Sequence, residues 1–180
     1  KQIEVIKLNK NKGPAFCRNL AMRISNSEYI SFLDSDDYWK KDKLYKQLNF
    51  MEQNKYKFTY TDYLWFKEKS LKKIFKSTNI VEKFTYNEFL KNSSINSSTM
   101  MLKRNLIENV KFKKVNHEDF LFKCDILRKG INAYKLDDKL SYYRIIDTSR
   151  SASKLLNLFS LWKINSSYNK LNFLLNIFSI

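Results

Sequence analysis

Glycine and proline are nearly missing from this chain: two glycines and one proline in 180 residues. That scarcity excludes collagen-like and loop-dominated architectures. Histidine occurs once and cysteine twice, so the usual Cys/His set for a structural zinc cannot be assembled. Cys17 and Cys124 lie far apart, each inside an apolar helical pattern, and are expected as buried free thiols of a reducing compartment. Acidic residues are few, 18 against 34 Lys and Arg, which leaves a net charge of +16. Such an excess suits an anionic partner, whether nucleic acid, an acidic membrane surface or a phosphorylated substrate. The lysines are scattered rather than clustered, so a solvated face is the competing explanation. No apolar run approaches the length of a membrane span, and the first four residues read as no signal peptide.

What is present is enough apolar and aromatic residue, 43% and 16%, for one folded domain with a sizeable core. Ile3 to Leu8 reads as a short strand, followed by a loop to Gly13. Pro14 then stands where a first helical residue belongs, and a helix runs to about Ile24. Tyr29 to Leu33 is a second, more apolar strand. This β-loop-α-turn-β order predicts an α/β fold with a parallel sheet. Asp42 is placed to cap a helix that carries Leu44, Leu48 and Met51 on one face, and Lys57 to Phe66 alternates as a strand. A short helix over Tyr86–Lys91 and a strand over Ser98–Lys103 follow. A strong helix from Glu118 to Lys129 is closed by Gly130. Strands over Ala133–Leu136 and Leu140–Ile146, a polar loop Asp147–Ser153 and a helical tail from Lys154 complete the reading.

Against the basic background, "YISFLDSDDYWKKDKL" sets Asp34, Asp36 and Asp37 at the end of an apolar strand. Carboxylates this close repel one another, and burying one unpaired is costly, so something positive is expected among them. Side chains two apart on an extended segment point the same way, so Asp34 and Asp36 can address one object. Strand carboxyl ends are where α/β sheets bind ligands. Oxygen donors without His or Cys favour Mg²⁺ or Mn²⁺, and such an ion keeps positions open for substrate phosphates. An EF-hand loop is excluded, because Tyr38 and Trp39 stand where it wants an oxygen ligand and glycine. A haloacid-dehalogenase-like phosphatase and a solvated turn of helix-capping acids remain as alternatives on this segment alone.

The order of motifs goes further. Asn11 and Gly13, then Cys17-Arg18-Asn19, then Asp34-Ser35-Asp36-Asp37, then Lys43-Leu44 resemble inverting family 2 glycosyltransferases of the GT-A fold. Cys17 replaces the alanine usual there. Downstream, "SSTMMLKR" is similar to the family's acceptor-side strand. "HEDFLFKCDILRKGINAYKLDDKLSYYRIIDTSRS" is similar to its Glu-Asp helix, Tyr-Arg strand and Ser-rich loop. The resemblance implies a GT-A domain over 1–153 with an amphipathic helical tail over 154–180. It implies Asp36 and Asp34 as metal and donor ligands and Arg18 facing the nucleotide. Arg144, Arg150 and Ser151 would close over the diphosphate. Asp119 would be the general base and Glu118 the group that orients the acceptor. Ile145-Ile146 follow Arg144, so a histidine ligand found in some relatives after the Tyr-Arg strand is missing.

The family opens with a strand-turn-strand unit that binds the nucleoside, and residues 1–10 do not match it. The expectation is therefore an N-terminally truncated domain, weak in donor binding and prone to self-association through an exposed sheet edge. The implied activity is metal-dependent sugar transfer from a nucleoside diphosphate sugar, a UDP-sugar above others, to a saccharide or lipid-linked acceptor. Surface polysaccharide or lipopolysaccharide synthesis is the implied setting. The implied location is cytoplasmic, peripheral to the inner face of the membrane, and no nucleic acid is expected. The rival of another class is a non-catalytic basic module on an anionic surface or nucleic acid. In the tail, Leu155, Leu158, Phe159 and Trp162 fall on one helical face, and Leu171, Leu174, Leu175 and Phe178 on a second short helix. Packing on the domain or a subunit, and an interfacial helix pair, are both consistent with that pattern.

Overall fold

The computed structural model describes residues 3–66, 81–145, 154–173 and 176, and in 154–156 the backbone alone. Helix α1 spans Pro14–Ile24, entered through Gly13 at φ 80°, a left-handed conformation that favours glycine, with Pro14 as first helical residue. The Asn11 Oδ1 accepts from the Gly13 N–H at 2.8 Å and shapes the entry. Strand β1 (Tyr29–Ser31), β2 (Tyr38–Trp39), helix α2 (Lys43–Asn54) and β3 (Phe58–Phe66) follow. Beyond residue 80 come β4 (Lys83–Phe84), α3 (Tyr86–Lys91), β5 (Met101–Lys103), α4 (Glu118–Leu127), β6 (Ala133–Arg144) and α5 (Lys154–Ser167).

The sheet runs β1-β5-β3-β6-β2, with β4 added against β6. It is mixed, not parallel as the sequence predicts. Only β3 and β6 run parallel, while β1 with β5, β3 with β5, β2 with β6 and β4 with β6 are antiparallel. The reason is that the β-loop-α-turn-β unit at the N-terminus is not formed. Ile3, Val5, Ile6 and Leu8 are exposed, two of them at 78%, and residues 3–8 carry no strand. An isolated apolar segment gains little from extension without a neighbour to pair with.

Other boundaries shift as well: the strand predicted over Ser98–Lys103 begins only at Met101, after a 3₁₀ turn at Ser97–Thr99. The strand predicted from Tyr29 to Leu33 stops at Ser31, because the chain must turn out of the sheet to seat the acids. The two strands predicted over 133–136 and 140–146 are one strand, β6, that accommodates register shifts opposite Thr61 and Asp62.

Helix α2 buries Lys43, Gln47 and Met51, not the face expected from Leu44 and Leu48; Leu44 is 46% exposed. Gln47 earns its place by hydrogen bonds from Nε2 to Thr59 Oγ1 (3.1 Å) and to the Thr99 carbonyl (3.0 Å). Asp42 makes no cap bond and pairs instead with Lys46 at 3.0 Å. Cys124 is buried as expected, but Cys17 is exposed, because α1 leaves that side uncovered. On α5 the inward residues are Ile164 and Asn165; Phe159 is 73% exposed and Leu158 39%, so the face drawn through them is not the packing face. Leu174, Leu175 and Phe178 lie outside the described residues, as does the side chain of Leu155.

The core is aromatic where it touches the site. Phe112 stacks on Phe122 of α4 at 3.9 Å, and Phe32, just past β1, meets Phe112 edge-on at 5.3 Å. These rings tie the end of β1 to α4 and fix how near the two acidic segments come.

Candidate active site

The chain leaves β1, passes through Phe32, and turns at Asp34, whose carbonyl accepts from the Asp37 N–H at 3.0 Å. The turn is anchored from below by a one-turn 3₁₀ helix, Ser97–Thr99. Ser98 Oγ accepts from the Asp34 N–H (3.1 Å), and the Ser98 carbonyl accepts from Trp39 Nε1 (2.6 Å) and Ser141 Oγ (3.2 Å). From the other side Arg144 clamps the same loop. Its N–H donates to Asp37 Oδ1 (3.1 Å), its Nε to the Asp36 carbonyl (3.0 Å) and its terminal nitrogen to Tyr38 Oη (2.5 Å).

Arg18 joins this loop to α4. One terminal nitrogen meets Asp34 Oδ1 at 2.5 Å and the other meets Glu118 Oε1 at 2.9 Å. The guanidinium lies 5.2 Å from the Phe112 ring centre, and its side chain is 15% exposed. Burial works against its charge, but Asp34, Asp119 and Glu118 together outweigh burial and raise its pKa above the ordinary value. This is the positive group that the acidic cluster calls for, and it reaches acids 84 positions apart along the chain. Asn19, beside it, exchanges bonds with the Phe112 backbone at 2.8 and 2.9 Å, which locks α1 in place.

Glu118 and Asp119 form the first turn of α4, where the helix dipole favours carboxylates. His117 precedes them in the left-handed region at φ 55° and is half-buried. Burial tends to raise Asp119, yet the Lys123 ammonium at 2.8 Å and the nearby Arg18 prevail and hold it down to about 2. Asp37 goes the other way: burial pushes it up to about 6, against the neighbouring Ser98 hydroxyl and the bond from the Arg144 N–H. Among the described residues no hydrogen bond reaches its buried Oδ2.

The fold thus brings together Arg18, Asp34, Asp36, Glu118, Asp119 and Arg144. Arg150 and Ser151 lie outside the described residues. The sequence reading missed Lys123, although its i+4 spacing from Asp119 is a legible signal. It also missed the seats provided by Ser97 and Ser98, which no local pattern marks.

For a divalent ion, the available donors are hard. Asp34 and Asp36 offer carboxylate oxygens; among the described residues the Asp36 carboxylate makes no hydrogen bond or ion pair, and no hydrogen bond reaches Asp37 Oδ2 nearby. No group of three or more His, Cys, Asp and Glu poised for a metal occurs among the described residues. Hard carboxylate donors of the kind offered by Asp34 and Asp36 are the type that Mg²⁺ or Mn²⁺ takes, in ones or twos, together with substrate phosphates.

The mixed sheet, with its acidic turn just past β1, matches solved structures of the GT-A fold. The chain superimposes on S. aureus TarS, crystallised with UDP-GlcNAc, at a TM-score of 0.65 over 83% of this chain and 44% of that one; at 20% identity the likeness is one of fold. Residues 1–111 match the model of glycosyl transferase family 2, and the chain belongs to that family. It is 38% identical over 157 residues to WfaP of Escherichia coli, a UDP-Glc:alpha-D-GlcNAc-diphosphoundecaprenol beta-1,3-glucosyltransferase, covering 87% of this chain. It is 32% identical over 96% of its length to TuaG of Bacillus subtilis, a glycosyltransferase named for teichuronic acid biosynthesis. The chain spans 61% of the length of WfaP and 69% of TuaG.

Proposed function

We propose that this chain carries the donor-acid and base residues of an inverting glycosyltransferase. It would move a sugar from a UDP-sugar to a hydroxyl of a saccharide or lipid-linked saccharide in cell-surface polysaccharide synthesis. The observation that carries this reading is the Arg18 bridge, which holds the loop acid Asp34 and the helix acid Glu118 on one guanidinium. Family membership decides against the phosphatase reading of the Asp-Ser-Asp-Asp segment.

In this reading Asp119 accepts the proton of the acceptor hydroxyl as the hydroxyl oxygen attacks the anomeric carbon. The bond to the diphosphate oxygen breaks, the nucleoside diphosphate leaves with the electron pair, and the single displacement inverts the centre. Glu118 orients the acceptor. Mg²⁺ or Mn²⁺ at Asp34 and Asp36, when bound, supplies charge neutralisation on the departing diphosphate. Asp119, held at about 2, is ionised at any physiological pH. A carboxylate so stabilised is a weak base, and engagement of Arg18 by the diphosphate would withdraw one of the cations that hold it down.

The test is calorimetric titration with UDP-glucose and UDP-GlcNAc, with and without Mn²⁺. Asp36→Ala removes a ligand and no core group, so it should abolish Mn²⁺-dependent donor binding while circular dichroism stays unchanged. Equal Mn²⁺-dependent affinity in variant and parent would defeat the metal assignment.

A further inference from the structure

Lys123 is 2% exposed, an unusual place for an ammonium unless it is fully bonded. Its Nζ donates to Asp119 Oδ2 at 2.8 Å and to the Ile95 carbonyl at 2.6 Å, and lies 5.9 Å from the Phe89 ring centre. Ser97 Oγ donates to the same Asp119 Oδ2 at 3.3 Å. Both side-chain donors therefore fall on one oxygen, and among the described residues no side chain donates to Oδ1; the Phe120 N–H also bonds the carboxylate, and the Asp119 side chain as a whole is 35% exposed. The segment that Lys123 grips, 95–97, runs directly into Ser98, which seats the Asp34 N–H. A single buried lysine thus couples the orientation of Asp119 to the turn under the donor acids.

We propose that Lys123 is a positioning residue for sugar transfer: by fixing Asp119 Oδ2 against the Ile95–Ser97 segment, it presents Oδ1 to the acceptor hydroxyl. The proposal rests on the reading of Asp119 as base. The charged and polar groups that act on Asp119 are Arg18 from α1, Lys123 and the Phe120 N–H from α4, and Ser97 from the 3₁₀ turn. Of the two cations, Lys123 alone bonds Asp119 directly; Arg18 spends its bonds on Asp34 and Glu118. A lysine present only to satisfy the Ile95 carbonyl would affect stability and leave the carboxylate of Asp119 indifferent.

Carbon-detected NMR titration of the Asp119 carboxyl in the full chain separates these roles, with Asp119→Asn to assign the signal. Lys123→Met should raise the titration midpoint by about 1–3 pH units, the range for loss of an adjacent opposite charge. Lys123→Arg should return it towards the parent value. Lys123→Gln, which keeps a donor for the Ile95 carbonyl, should raise the midpoint as the Met variant does and serves if the latter does not fold. Calorimetry with UDP-glucose and Mn²⁺ on the parent reads donor binding separately from the midpoint. An unchanged midpoint in folded Lys123→Met or Lys123→Gln overturns the proposal. Failure of the parent, supplied with a family-like N-terminal nucleoside-binding unit, to bind UDP-glucose would count against the glycosyl-transfer reading and is seen independently of the midpoint.

Discussion

Replacing Lys43 by Met should stabilise this protein near neutral pH, and the size of the effect follows from its surroundings. Lys43 is fully buried at the start of α2, and its Nζ has no hydrogen-bond partner among the described residues. Burial lowers its pKa from the ordinary 10.5 to about 7. An unfolded chain keeps that lysine charged up to about pH 10, so between pH 7 and 10 the unfolded state binds the extra proton and stability rises with pH. At 1.36 kcal/mol per pH unit, the handicap at pH 7 is about 4 kcal/mol. The Trp39 ring, with its centre 4.1 Å from Nζ, works against burial by favouring the charged form, a contribution of about 2 kcal/mol for a desolvated cation. The remainder, roughly 2 kcal/mol at pH 7, should be recovered in Lys43→Met, whose side chain fills a similar volume without a charge. Urea unfolding from pH 6.5 to 10 measures this directly. The parent midpoint should climb with pH, and the variant should start higher and climb less. A flat parent profile, together with a variant less stable at every pH, would refute the reasoning and make the lysine–indole contact the dominant interaction.

Two further outcomes are expected. Asp37, raised to about 6 by burial, stabilises the fold below the unfolded carboxyl range and loses that contribution as pH rises through about 6; Asp37→Asn, which keeps the oxygen that accepts from Arg144, should flatten the stability profile between pH 4 and 6 in chemical denaturation. Asp119→Asn, in a form of the enzyme that transfers sugar, should leave UDP-sugar affinity intact and lower turnover by ~10²–10⁴, and unchanged turnover would move the base to Glu118.

Chain order and chemistry type were set by the sequence. Pro14 after Gly13, the apolar run into Asp34, and the paired acids opening α4 are local signals. Each depends on neighbours within a few residues, so each survives in the fold. The same holds for the hard-donor character of the acidic loop, which is a matter of residue type.

Tertiary structure decided everything that depends on partners distant in the chain. An apolar segment such as Ile3–Leu8 is a strand only if another strand pairs with it, and pairing is not written in the segment. The inward face of α2 is polar because Thr59 and the Thr99 carbonyl wait for Gln47, and a hydrophobicity pattern cannot see those bonds. The direction of neighbouring strands and the fusion of two predicted strands into β6 likewise depend on register against β3. The site itself is of this second kind. Arg18, Asp34, Ser98, Glu118 and Lys123 carry no mutual signature in sequence. They meet because aromatic packing of Phe32, Phe112 and Phe122 draws α4 to the end of β1, where Arg18 pairs with Asp34 and Glu118 and Lys123 with Asp119.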